Sequence, residues 1–146
     1  MTDYDPAHVT LNRQGWVADQ AKAYESSNGT EYTDRDGYPC LLLDYLGRKS
    51  RTWHRTVLIY GRDGDDYLIV ASKGGAPDDP LWFKSLVEHP EVHVRVLTER
   101  FTARVEVLPP QDKARVWPHL LEVYPPYAEY QEKTDRDIPV VRLSRI

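Results

Sequence analysis

Two short turns place cations beside groups able to hold an anion. GRKSRTWHR, residues 47–55, carries Arg48, Lys49, Arg51 and Arg55 next to the hydroxyls of Ser50 and Thr52. VASKGGAP, residues 70–77, ends an apolar run with Ser72, Lys73, Gly74 and Gly75. A glycine pair lets the backbone approach a ligand closely, and N–H groups beside a lysine suit phosphate or carboxylate. Taken alone, the basic turn reads more readily as solvated surface, and the Gly-rich turn is weak evidence of a site. If the fold brings them together they become a cradle for an anionic ligand. A third unit, YPPYAEY, spaces Tyr124, Tyr127 and Tyr130 at intervals of three. On a helix starting at the prolines these rings share one face. Three buried phenols each need a partner, so the stripe suits the wall of a pocket for a flat ligand better than a core.

Other chemistries find less support. In HPEVH, residues 89–93, Pro90 and the alternating valines indicate a strand. Histidines four apart on a strand lie roughly 13 Å from each other, too far to share a metal ion. DRDG, residues 34–37, begins like a calcium loop, but its twelfth position is Tyr45 where a glutamate is needed, so it reads as a plain turn. Ser50, Ser72 and Ser85 lack a nucleophile-elbow context, and Cys40 falls within a core strand as a small hydrophobe. His54 could serve as an acid or base, although a strand histidine usually acts as a hydrogen-bonded wall residue.

The elements that must position these groups follow from periodicity. Residues 16–27 read as a helix stopped by Asn28-Gly29. YPCLLLDY and TWHRTVLIY read as strands, and RDGD as a hairpin turn returning DYLIVAS as the partner of the second. Residues 79–89 suggest a helix with Asp79 as N-cap and Pro80 at its first position. EVHVRVL and RFTARVEVL alternate as one-face-buried strands, a helix kinked at Pro118 starts at Pro110, and IPVVRLS closes the chain as a strand. The expected class is α+β: a small barrel of about six mostly antiparallel strands with helices packed outside.

At 146 residues, 40% hydrophobic and 29% charged, the chain fits one soluble domain, residues 1–146, with residues 1–15 loosely held. A net charge of −4 argues against nucleic acid as partner. A single cysteine, and no basic leader or membrane-length apolar run, point to the cytoplasm. Ten tyrosines and four tryptophans against two phenylalanines favour surfaces that are flat, apolar and polar at one edge.

The segments GRKS, LIYGRDGD, VASKGGAP, PLW, HPEV, YPPYAEYQ and TDRDIPVVRL, in this order, resemble the deazaflavin-dependent nitroreductase family over roughly residues 16 to 143. That family consists of split β-barrel oxidoreductases, similar to FMN-binding split barrels, that use coenzyme F-420, an 8-hydroxy-5-deazaflavin. The resemblance implies a reductase that passes a hydride to a quinone, nitroaromatic or enone. It places Arg48, Lys49 and Ser50 at the coenzyme's tail, and His54, Arg55, Thr56, Val57, Leu58 and Ile59 beside its ring. Val70, Ala71, Ser72, Lys73, Gly74 and Gly75 lie against the deazaflavin, flanked by Leu81, Trp82, Phe83, Lys84 and Ser85. Tyr124, Tyr127 and Tyr130 face the acceptor, with Tyr127 also near the coenzyme and Ser72 or a tyrosine as hydrogen-bond donor. No metal is implied. Arg51, His54, Val57 and Phe83 depart from the family's usual glycine, arginine, proline and tyrosine, with Arg55 as a substitute for the missing arginine. An FMN-dependent oxidoreductase and a non-catalytic coenzyme carrier are the alternatives. The chain would be a monomer or homodimer, touching a membrane peripherally if its acceptor is a membrane quinone.

Overall fold

The computed structural model describes residues 3–146. Its centre is strand β3 (Tyr38–Leu46), whose Leu41 and Leu43 enter one apolar core while Cys40 and Leu42 enter another. A strand apolar on both faces needs cover on both, which explains its near-continuous hydrophobic run. Strand β4 (Trp53–Ile59) pairs antiparallel with one edge of β3, and β7 (Glu91–Val96) takes the other. From β7 the sheet continues through β8 (Glu99–Val107), β9 (Val140–Arg145), β6 (Asp66–Val70) and β5 (Gly61–Asp63). These include all six strands expected from sequence. Two short strands complete the set: β1 (Thr10–Leu11), parallel to β4, and β2 (Asp34–Arg35), antiparallel to β3.

The hairpin at Asp63-Gly64 has a different partner from the one expected. It joins β5 to β6, with Asp63 opposite Asp66, and β6 then pairs with β9 instead of β4. The exchange falls at Tyr60, between the two strands: its N–H donates to the Pro39 carbonyl at 3.1 Å, and β5 begins at the next residue. Among the described residues, no ladder joins β4 to β6, so the sheet does not close. The outer edge of β4 is paired by β1 only at His54 and Arg55. From Thr56 to Ile59 it stays open, and this opening is the split in the barrel.

Residues 4–11 are also better held than expected. Tyr4 stacks on His93 with ring centroids 3.7 Å apart and donates its hydroxyl to Asp44, and β1 lies against β4. Helix α1 (Gly15–Ser26) covers the Cys40–Leu42 face with Val17, Ala21 and Tyr24. Helix α2 (Leu81–Glu88) packs Phe83 and Leu86 into the barrel core. Its N-cap is Pro80, not Asp79, because the Asp79 carboxylate is taken by Arg136 at 2.9 Å. Helices α3 (Pro110–Val123), which contains Pro118, and α4 (Tyr127–Lys133) share a further core with Leu68, Val70 and Val140.

Candidate active site

A cavity of about 940 Å³ opens at the split. The β4 segment from Thr56 to Ile59, open along its outer edge, forms one wall, with Val70 and Ser72 at the end of β6. An open strand edge presents both side-chain faces and its own N–H and C=O groups. Consequently Val57 and Ile59 line the cavity although they also pack in the core under α1.

Both cationic turns reach this space. Arg48, Lys49 and Ser50 contribute from one, and Ser72, Lys73 and Gly74 from the other. The first turn is fixed to α2 by the Arg48 N–H, which donates to Ser85 Oγ at 3.2 Å. His54 extends it, 2.9 Å from Ser50 Oγ and stacked on Tyr45. Burial and the charge of Arg13 hold His54 below its ordinary 6.5, so it is neutral at pH 7. Arg13 and Arg35 add two cations that were not anticipated, and among the described residues no aspartate or glutamate lines the cavity. In a chain of net charge −4, such sorting builds a local field selective for anions.

Within the second turn the two glycines have different tasks. Lys73, Gly74 and Gly75 all have positive φ, at 46°, 63° and 83°. A Cβ on Gly74 would meet nothing within 4 Å, whereas one on Gly75 would lie 2.7 Å from the Tyr130 carbonyl oxygen. The close approach made by Gly75 is therefore to α4, and only Gly74 faces the cavity. Arg136 anchors this loop. It donates to the carbonyls of Ala71 (3.1 Å), Ser72 (2.7 Å) and Ala76 (2.8 Å) as well as to Asp79. The Ser72 hydroxyl makes no hydrogen bond among the described residues and remains available to a ligand.

Tyr124, Tyr127 and Tyr130 all line the cavity, but not as one helical stripe. Tyr124 caps α3, and only Tyr127 and Tyr130 belong to α4. The helix–turn–helix corner folds the rings into a cluster, with Tyr124 and Tyr127 centroids 4.9 Å apart and edge-on. Tyr124 and Tyr130 share a hydrogen bond at 3.2 Å, which pushes the Tyr124 phenol up to about 12. Burial raises Tyr127 strongly as well. Tyr124 and Tyr127 therefore keep their protons at neutral pH and can donate them as hydrogen bonds.

Five residues expected beside the ring do not line the cavity: Arg55, Ala71, Gly75, Phe83 and Lys84. Strand alternation turns Arg55 away from His54, where it binds Asp44 through Nε (2.7 Å) and a terminal nitrogen (2.6 Å). It cannot stand in for an arginine at position 54. On α2, Leu81, Trp82 and Ser85 line the cavity, Trp82 also packing in the barrel core, while Phe83, about 100° from Trp82 on a helix, enters that core without reaching the cavity. Cys40 is fully buried, with its thiol pushed up to about 11 by desolvation, and is inert. Residues 34–37 form a two-residue hairpin turn with positive φ at Asp36 and Gly37.

Comparison with known proteins agrees with this geometry. A protein of Mycobacterium tuberculosis strain H37Rv, named as a quinone reductase dependent on the reduced coenzyme, is 44% identical over 110 residues, covering 73% of this chain and 74% of that one. A second, putative quinone reductase of the same strain is 32% identical over 109 residues, covering 75% and 92%. Among solved structures, the F420-H2 Dependent Reductase FDR-A matches with a TM-score of 0.68 at 34% identity, over 73% of this chain and 94% of that one. A domain-swapped dimer matches at 0.71 and 31% identity, over 91% of this chain and all of that one. The model of the F420H(2)-dependent quinone reductase family matches residues 16–144, and the chain belongs to that family.

Proposed function

We propose that the protein binds coenzyme F-420 in the split of the barrel and reduces quinones there. The observation that carries this reading is a large cavity lined by five cationic residues, Arg13, Arg35, Arg48, Lys49 and Lys73, with no carboxylate lining it among the described residues, and by a cluster of three tyrosines. These groups fit a long anionic tail and a flat ring. Arg48, Lys49, Ser50 and Arg13 hold the tail; the open edge of β4, Ser72, Gly74 and Trp82 hold the ring. When bound, the reduced deazaflavin supplies a hydride. The protein's own share is orientation, exclusion of water and hydrogen bonding to the quinone. The Tyr127 and Ser72 hydroxyls offer such bonds where negative charge develops on the quinone oxygen. No helix among the described residues is long and apolar enough to cross a membrane. A membrane quinone would be reached from the surface, and nitroaromatics would be reduced in the same site.

Calorimetric titration with coenzyme F-420 and with FMN tests the assignment, and tighter binding of FMN would refute it. Arg48→Ala and Lys49→Ala should each weaken coenzyme binding by about 1–3 kcal/mol, less as salt rises. Turnover at saturating coenzyme should barely change, since the tail is remote from the reacting carbon. Tyr127→Phe should keep coenzyme affinity and lose about tenfold in quinone turnover, roughly 1.4 kcal/mol. Steady-state kinetics at wild-type level would reduce Tyr127 to packing.

His54 makes coenzyme binding depend on pH. A bound polyanion favours the imidazolium, raising its pKa in the complex, so affinity should rise as pH falls below about 6.5 and stay flat above neutrality. His54→Gln should abolish that rise. In the free protein the sign is opposite. The folded pKa lies below the unfolded one, so stability is complete above 6.5 and declines as pH drops through the folded value.

A further inference from the structure

Arg35 lines the cavity, yet its guanidinium has no hydrogen bond or ion pair among the described residues, and its Nε is buried without a partner. A buried donor left without a partner is costly unless a ligand completes it. Its position is well fixed. The β2–β3 turn sets Arg35 opposite Tyr38, and the Tyr38 ring meets Tyr124 edge-on at 4.8 Å. Gln20 on α1 donates to the carbonyls of Tyr32 and Asp34, tying this turn to the helix that carries Trp16. The guanidinium lies over the Trp16 ring, 4.4 Å from its centroid. Neighbouring Asp34 and Asp36 do not line the cavity, and Asp34 Oδ2 is occupied by the Gly37 N–H at 2.7 Å. Arg35 thus enters the cavity on the side of Tyr38, whose ring meets Tyr124 of the tyrosine cluster, whereas the charge of Arg13 acts on His54 at the basic turn.

We infer that Arg35, stacked on Trp16, is a catalytic residue that binds the oxygen of the quinone as it becomes negatively charged, and so selects acceptors whose reduced form is an anion. This rests on the quinone reductase reading. A hydride brings two electrons and one proton to the quinone, leaving the hydroquinone monoanion while the coenzyme is oxidised; solvent provides the second proton. The monoanion is the species that a fixed guanidinium stabilises, through charge-assisted N–H donors in a site with no competing carboxylate. Arginine keeps its charge throughout, so it acts electrostatically while the tyrosines and water handle protons.

The test is calorimetry on protein saturated with oxidised coenzyme. The probes are 2-hydroxy-1,4-naphthoquinone, titrated on both sides of its ionisation, and 1,4-naphthoquinone as the neutral comparator. Wild type should prefer the hydroxyquinone once it is an anion. Arg35→Gln should lose tenfold or more in anion affinity while binding of 1,4-naphthoquinone changes less than threefold. Arg35→Lys should recover part of the preference, and kcat with the neutral quinone should fall in Arg35→Gln with KM little altered. An unchanged anion-to-neutral ratio in Arg35→Gln, with coenzyme still bound, overturns the role of Arg35 alone. Weakened coenzyme binding with that ratio unchanged would assign Arg35 to the coenzyme and also overturn it. Failure of the wild type to bind coenzyme overturns the functional reading, and this role with it.

Discussion

Arg136→Ala is expected to cost about 2–4 kcal/mol of stability, and at least tenfold in coenzyme affinity. The side chain is 15% exposed and satisfies three backbone carbonyls together with the Asp79 carboxylate. Removing it strands the Ala71 and Ala76 carbonyls, on a segment whose Ala71 is fully buried, while the Ser72 carbonyl keeps the Gly75 N–H at 2.9 Å; stranded buried groups cost more than the bonds themselves were worth. The Asp79 pair adds less, because that carboxylate is 32% exposed and screened by solvent. At roughly 2–4 °C per kcal/mol, the melting temperature should fall by several degrees. The functional loss has a separate origin: Ser72, Lys73 and Gly74 reach the cavity from the loop that Arg136 holds. Arg136→Lys preserves the charge but not the fork, so it should recover only part of both losses. Urea unfolding and coenzyme titration measure the two effects independently. Normal coenzyme affinity in a destabilised Arg136→Ala protein would make the arginine a structural clamp and nothing more.

Arg136 also shows where sequence reading stops. It lies in the polar stretch TDRD, and its acceptors are 57 to 65 residues away. Nothing in local spacing reports so distant a set of partners. Arg13, Arg35 and Trp16 escaped for a related reason, because they reach the cavity through a two-residue strand, a two-residue hairpin and the start of α1. The longer strands were legible because alternation over many residues has few alternatives. Their partners were less so: β6 pairs with β9 and not with β4, and the change falls at the single residue Tyr60 between β4 and β5. The basic turn, the Ser72–Gly74 loop and the three tyrosines could be found because each concentrates unusual chemistry within a few residues. Side-chain direction within them was harder to read, since it depends on which face the core claims. Arg55 and Phe83 were lost to that choice, whereas His54, Trp82 and Ser85 were not.

The two adjacent glycines should separate architecture from ligand contact. Both have left-handed φ, so alanine at either position carries a conformational cost of roughly 1–2 kcal/mol. At Gly75 the new Cβ would also lie 2.7 Å from the Tyr130 carbonyl oxygen and 3.0 Å from its Cα. Those are backbone atoms of α4 and cannot step aside as a flexible side-chain tip would. Overpacking adds about 1–3 kcal/mol, so Gly75→Ala should lose roughly 3–4 kcal/mol of stability in all. Because relief requires α4 to move, Tyr127 and Tyr130 should shift with it, and quinone turnover should fall more than tenfold in the protein that remains folded. Gly74→Ala meets no atom within 4 Å and should lose only the conformational part. Its methyl group would enter open space at a residue that lines the cavity, so coenzyme affinity should drop severalfold while the tyrosine cluster keeps its geometry. Denaturation curves, coenzyme titrations and near-ultraviolet circular dichroism of the tyrosines distinguish the two variants. If Gly75→Ala is no less stable than Gly74→Ala, then α4 does not rest on this turn, and the tyrosine wall is held in place by the core beneath it.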